Sequence, residues 1–190
     1  TFSAGITVGS LDIGHGLGGD PQSTAVGTDA LDASHSGSIH NTAIGHDALT
    51  ALNADAADKN TAVGSGAGKA ITSGNNNTAV GYNAVQTDDG LRSVGLGNYA
   101  LGANCGNDST GVGYAALNNF SGDTATAVGS GAADAAVGNA NLTAVGYQAL
   151  GAASSGDNNT AVGAACLDGT IDGTNNTAVG QAALSADCVS

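Results

Sequence analysis

Sixteen Asp, four His and three Cys are the side chains here that could do acid–base, metal or nucleophilic chemistry. Glycan cleavage would need two carboxylates facing each other across a cleft. Candidate pairs such as Asp88 with Asp89 and Asp168 with Asp172 fall in loops with turn chemistry beside them. Asp in such places is a turn former first, because its short side chain bonds nearby backbone. His15, His35, His40 and His46 crowd the first quarter of the chain. Three equivalent imidazoles on a threefold axis could hold an ion, but no zinc spacing is present. The Gly-Gly-x-Gly-x-Asp pattern of calcium-binding rolls is absent as well. Cys105, Cys166 and Cys188 follow no ligand spacing, and Cys166 stands where a repeat elsewhere has Ala, so it reads as a small buried residue. The run Gly14-His15-Gly16-Leu17-Gly18-Gly19 has the composition of a phosphate loop without the helix that must come after one. No Ser-His-Asp order stands out. The expectation is a chain that is not an enzyme, with no catalytic residue, cofactor or metal.

The elements that carry these residues are set by a repeat. A short phrase, cleanest as Asn159-Thr160-Ala161-Val162-Gly163, begins at Thr24, Thr42, Thr61, Thr78, Val94, Thr110, Thr126, Thr143, Thr160 and Thr177. Its intervals run from 16 to 19 residues. A unit that short cannot bury a core by itself, so the copies must stack. Composition agrees. There are 32 Gly, 2 Phe, 4 Tyr, no Trp, no Met and no Glu, which leaves turns and short strands and little helix. The net charge of −13, against only Lys59, Lys69 and Arg92, excludes a nucleic-acid groove and disfavours anionic lipid. No apolar run approaches the roughly 18 residues of a membrane span. Because the first residue is Thr1 and not Met, the chain is expected to be a processed product or a fragment.

Aligned copies form columns. The first position is Thr, or Val94. The second is Ala25, Ala43, Ala62, Ala79, Gly95, Gly111, Ala127, Ala144, Ala161 and Ala178. The third is Val26, Ile44, Val63, Val80, Leu96, Val112, Val128, Val145, Val162 and Val179. The fourth is always Gly: Gly27, Gly45, Gly64, Gly81, Gly97, Gly113, Gly129, Gly146, Gly163 and Gly180. Thr-Ala-Val alternates as a strand does, with Thr and Val on one face and Ala on the other. The Gly column predicts a corner that needs positive φ or close backbone approach. Two variable residues come next, then Ala (once Cys166) and usually Leu, expected as a second short strand. Polar loops close each coil. Stacking at about 4.8 Å gives a rod on the order of 50 Å long.

The Val column is expected inside each coil with Leu. A column that never exceeds a methyl group is then expected to press against another chain, most economically around a threefold axis, which would add burial to a thin rod. The opposite assignment, Ala inward and Thr and Val outward, satisfies the same alternation. Residues 1–23 form a degenerate coil or connector, with 11–18 alignable as an imperfect copy, and 24–190 the solenoid. Beyond Leu184 the sequence stops without a polar cap, which predicts either more protein or end-to-end stacking.

These columns resemble the head repeats of trimeric autotransporter adhesins, whose strand reads near Asn-Ser-Val-Ala-Ile-Gly. Asn77-Thr78-Ala79-Val80-Gly81 and Asn176-Thr177-Ala178-Val179-Gly180 carry the likeness, with a longer period here and Thr in place of an aliphatic. The Thr-Ala-Val-Gly-Tyr-Gln-Ala-Leu variant at 143–150 is similar to repeats of phage tail fibres. The resemblance covers Thr24 to Leu184. It implies an all-β, left-handed parallel β-roll of about ten coils, packed as a homotrimer, in a non-enzymatic fibre on a virion or cell surface. Its partners would be its own copies and a host-surface glycan or protein, met by the loops at 32–40, 50–59, 87–93, 117–124 and 167–175. Tyr82, Tyr114 and Tyr147, each directly after a corner Gly, offer a second contact surface that could stack on sugars. A bacterial adhesin head, a self-stacking filament and an ice-binding solenoid are the alternatives, the last arising if Thr and Val face outward. Sequons at Asn76, Asn107, Asn119, Asn141, Asn158 and Asn175 arise mostly from the repeat itself, and matter only where the source glycosylates secreted proteins.

Overall fold

Every Thr-Ala-Val triplet is a strand. A computed structural model describes residues 6–8, 11–15, 21–33, 37–53, 57–86, 90–102, 106–136, 140–152, 156–169 and 173–185. Two strands precede the repeats, β1 (Ile6–Val8) and β2 (Leu11–Gly14). Then come β3 (Thr24–Val26), β4 (Thr42–Ile44), β5 (Thr61–Val63), β6 (Thr78–Val80), β7 (Val94–Leu96), β8 (Thr110–Val112), β9 (Thr126–Val128), β10 (Thr143–Val145), β11 (Thr160–Val162) and β12 (Thr177–Val179). All twelve form one sheet in chain order. From β3 onward the pairing is parallel and column-true, as in Thr143 opposite Thr160, Ala144 opposite Ala161 and Val145 opposite Val162. The chain is therefore an all-β parallel solenoid, with no helix among the described residues.

The N-terminal end differs from an imperfect coil. β1 pairs antiparallel with β2, and β2 antiparallel with β3 through Ile13 opposite Val26. Loop length explains it. Only residues 9–10 join β1 to β2 and 15–23 join β2 to β3, shorter than the dozen or so that a parallel crossover needs. The repeats, with 15 residues at 27–41 between β3 and β4, are long enough.

The ten corner glycines hold φ between 128° and 141°, a region that residues with a Cβ rarely enter. The Ala-Leu segment beyond each corner is a turn and not the second strand expected of it. The second and fourth residues after each Gly are left-handed, as with Asp47 (φ 57°) and Leu49 (φ 50°), or Gln148 (φ 50°) and Leu150 (φ 53°). The two left-handed residues of each turn send their N–H groups in opposite directions along the rod. Asp47 N donates to Thr28 O of the coil before (3.0 Å), and Leu49 N to Ala67 O of the coil after (3.0 Å). The turn wall is thus ladder-bonded like the sheet, and its backbone groups are satisfied although no strand forms.

The two faces of the sheet are the reverse of the expected ones. Ala25, Ala43, Ala62, Ala79, Gly95, Gly111, Ala127, Ala144, Ala161 and Ala178 are buried within the single chain and line the coil interior. They are not available to a second chain. Val26, Ile44, Val63, Val80, Leu96, Val112, Val128, Val145, Val162 and Val179 point outward, eight of them at least 36% exposed. The reason is width. The Leu column (Leu31, Leu49, Leu101, Leu117, Leu150, Leu167) is fully buried from the opposite wall and leaves room for a methyl or less. At Gly95 even that is too much, since a Cβ would lie 2.6 Å from Val85 Cγ2. Where Gly68 breaks the Leu column, Ile71 reaches in to fill the space.

A second interior column, absent from the sequence-based expectations, stands just before each Thr. Asn60 Oδ1 accepts from Asn77 N (2.9 Å), while Asn60 Nδ2 donates to Gly74 O (2.8 Å) in the return loop. Asn41 and Asn77 repeat both bonds, and Ser23 accepts from Asn41 N in the same way (3.0 Å). Where the position is Asn, this ladder staples the loop to its own coil and that coil to the next; Ala125 and Leu142 interrupt it. Asn60→Ala should strand the Asn77 N–H and the Gly74 carbonyl in a buried place, lowering stability by about 2–4 kcal/mol. Asn60→Ser should keep the acceptor and lose about half as much, both read by urea unfolding.

Candidate functional site

The acidic side chains of the described residues are largely engaged in holding coils together. Asp58, Asp123 and Asp157 spend a carboxylate oxygen on the backbone N–H of Ile39, Asn107 and Ala140 in the preceding coil, at 2.7–2.9 Å. Asp108 makes two bonds to the Arg92 guanidinium, 2.6 Å from Nε and 2.8 Å from Nη2, which hold its carboxyl below the usual range. The pair is open to solvent and adds little to stability. Burial raises the Asp134 carboxyl, opposed by hydrogen bonds from Asn118 and Asn119.

One metal-like cluster exists among the described residues. Ligand atoms of Asp29, His46 and Asp47 lie within 4.8 Å of one another. Lys69 Nζ already sits 2.5 Å from Asp47 Oδ2, where its ammonium competes with any cation for that carboxylate, and its hydrogen bond lowers the Asp47 pKa. His15 is used by the Ser23 carbonyl (Nδ1 to O, 2.9 Å). Cys166, three residues after its corner Gly where other coils have Ala, is buried as a free thiol. His35, Asp88, Asp89, Asp172, Cys105, Cys188 and residues 16–19 lie outside the described residues, as do parts of every expected receptor loop except 117–124. That loop turns Phe120 fully into the core.

What the fold does present is a face. Ten parallel strands in register set the Thr column beside the Val column on one outward sheet surface. Twenty positions in two columns carry no charge in a chain of net −13. The row of branched aliphatics runs unbroken from Val26 to Val179, which is itself 71% exposed. A single exposed Val needs no explanation, but a continuous stripe does.

Beyond the corner lies the second surface. Tyr82, Tyr114 and Tyr147 are 46%, 60% and 59% exposed. Tyr99, which its position one residue further from its Gly hides from a column reading, packs T-shaped against two of them. Its ring centroid is 5.4 Å from Tyr82 and 6.2 Å from Tyr114, at interplanar angles of 87° and 84°. Burial raises the Tyr99 phenol. The corner glycines, ten of ten at positive φ, hold both surfaces in place without entering either. No family model, curated protein or solved structure matches this chain.

Proposed function

We propose that the protein is a non-enzymatic fibre segment: a left-handed roll of about ten coils that associates as a homotrimer and serves attachment outside the cell, on a virion or a cell surface. The observation that carries this reading is the outward, uncharged Val column beside the Thr column. The contact surface is therefore the Thr–Val face, in place of the Ala stripe. Three such faces meeting on an axis remove the aliphatic stripe from water and leave the Asp-rich loops outside, where like charges are farthest apart. Each Val brings roughly 1–2 kcal/mol when its remaining exposure is lost, so ten coils summed over three chains supply ample association energy.

Light scattering on the purified 190-residue chain should give three times its 17.8 kDa mass. Replacing Val112, Val128 and Val145 together by Asp should dissociate it, weakening association by ~1,000-fold or more because each carboxylate would be desolvated. A wild-type chain that stays monomeric would refute the trimer. The second reading, ice binding, is favoured by the same outward face, since nine of ten first positions are Thr in a regular ladder. It requires the face to be open to water, so a monomer that inhibits ice recrystallisation would support it.

A further inference from the structure

We propose that Tyr82, Tyr114 and Tyr147 form a platform for an extended, uncharged, β-linked polysaccharide. This names the receptor class for the attachment reading and rests on it. The slot after the corner Gly accepts varied side chains, since it also holds Thr28, His46, Ser65, Ala164 and Gln181. Tyr nevertheless recurs in it on every second coil, after β6, β8 and β10. Two coils rise about 9.6 Å by the strand spacing. That rise is close to the two-residue repeat of a β-1,4-linked pyranose chain in its flat, twofold-screw form, which shows the same ring face at every second sugar.

Between the aromatics the same column carries Asn98 and Ser130, groups able to bond hydroxyls at the intervening sugars. Asn98 is anchored, its Oδ1 accepting from Tyr82 N at 3.1 Å. Tyr99 packs T-shaped against both Tyr82 and Tyr114, so two of the three rings are held before any ligand arrives. Tyr99 is a positioning residue in this scheme. Pyranose C–H faces stack on aromatic rings without needing charge, and a chain at −13 selects against acidic glycans.

The test is depletion of the full chain from solution by cellulose and chitin powders, with affinity electrophoresis in soluble hydroxyethyl cellulose. α-Linked dextran is the control, and solution mass is measured alongside. Retention by the β-linked polymers should fall roughly tenfold in Tyr114→Ala and stay within about twofold in Tyr114→Phe, which keeps the ring. Tyr99→Ala should weaken binding by a few-fold, and Tyr99→Phe should restore it. No retention by any β-linked polymer overturns the platform, as does equal retention on dextran or undiminished retention in the triple Ala variant. A trimer that fails to bind removes the platform alone. A monomer that binds removes the fibre reading and leaves the platform standing.

Discussion

Gly146→Ala should unfold the middle of the rod, lowering stability by ~4 kcal/mol or more. Two causes add. Gly146 holds φ 138°, outside the range open to residues with a Cβ. An added Cβ would also sit 2.5 Å from the Gly163 oxygen and 2.6 Å from its carbonyl carbon. Both atoms are backbone of the next coil and cannot swing aside, so the coil spacing itself would have to open. The bond from Gly146 N to Val128 O (2.8 Å) would be lost with it. Gly180→Ala is the control. It shares the dihedral (φ 128°), but a Cβ there would meet only Ala183 Cβ at 3.9 Å. Only the strain remains, about 1–3 kcal/mol, and fraying at the last strand can absorb it. Thermal melts followed by circular dichroism separate the two. Equal losses would mean that coil-to-coil crowding is unimportant.

Column arithmetic makes much of this fold legible. Thr-Ala-Val predicts a strand and is one wherever it occurs, invariant Gly predicts the corner, and a Leu four places after it belongs to the interior in every coil but the last described, where Leu184 is 49% exposed. The left-handed turns are harder to see, because Leu49, Gln148 and Leu150 do not advertise positive φ. Their signal lies in other copies of the same column. Asp29, Asp47, Asn83, Gly66 and Gly131 occupy the second place after the corner, and Asp, Asn and Gly are the residues that tolerate that conformation. Asn76, Asn141, Asn158 and Asn175 mark another left-handed column, at φ 56–60°, and are legible in sequence only as sequons. The interior Asn ladder is hidden because Asn41, Asn60 and Asn77 look like loop residues beside a strand. Its alternation with Ser23, Ser93 and Ser109, which share a short side-chain oxygen, is the available clue.

The facing of the sheet inverts the expectation for a reason intrinsic to period two. Alternation says which residues share a face and nothing about which face is inside. Hydrophobicity favours Val inside, but volume decides against it, and the deciding residues are Gly95 and Gly111. A column trimmed to hydrogen twice in ten copies is crowded from within its own coil. Without that inference the proposed contact surface is displaced too: it goes to the Ala column, which is buried inside the coil, and not to the outward Val column.

Exchanging the sizes of neighbours in one strand tests this directly. Ala144→Leu should be severe. Ala144 is fully buried, its side chain aims at the Leu column, and three extra carbons have nowhere to go. Overpacking of this kind costs about 1–3 kcal/mol where the core can shift. Here the opposing wall is held by inter-coil bonds such as Leu150 N to Cys166 O (2.9 Å), so the upper end of that range or beyond is expected. Val145→Ser, the next residue, removes a side chain already 36% exposed. It should leave the isolated coil almost unchanged, within about 0.5 kcal/mol, while weakening association between chains. Urea titrations at several protein concentrations read both effects. The midpoint of Ala144→Leu should fall at every concentration, because the damage is inside one chain. That of Val145→Ser should fall where the wild type is associated and rejoin it on dilution to single chains. The reverse pattern, with Ser at 145 collapsing the coil and Leu at 144 accommodated, would restore Val to the interior and withdraw the face on which the fibre reading depends.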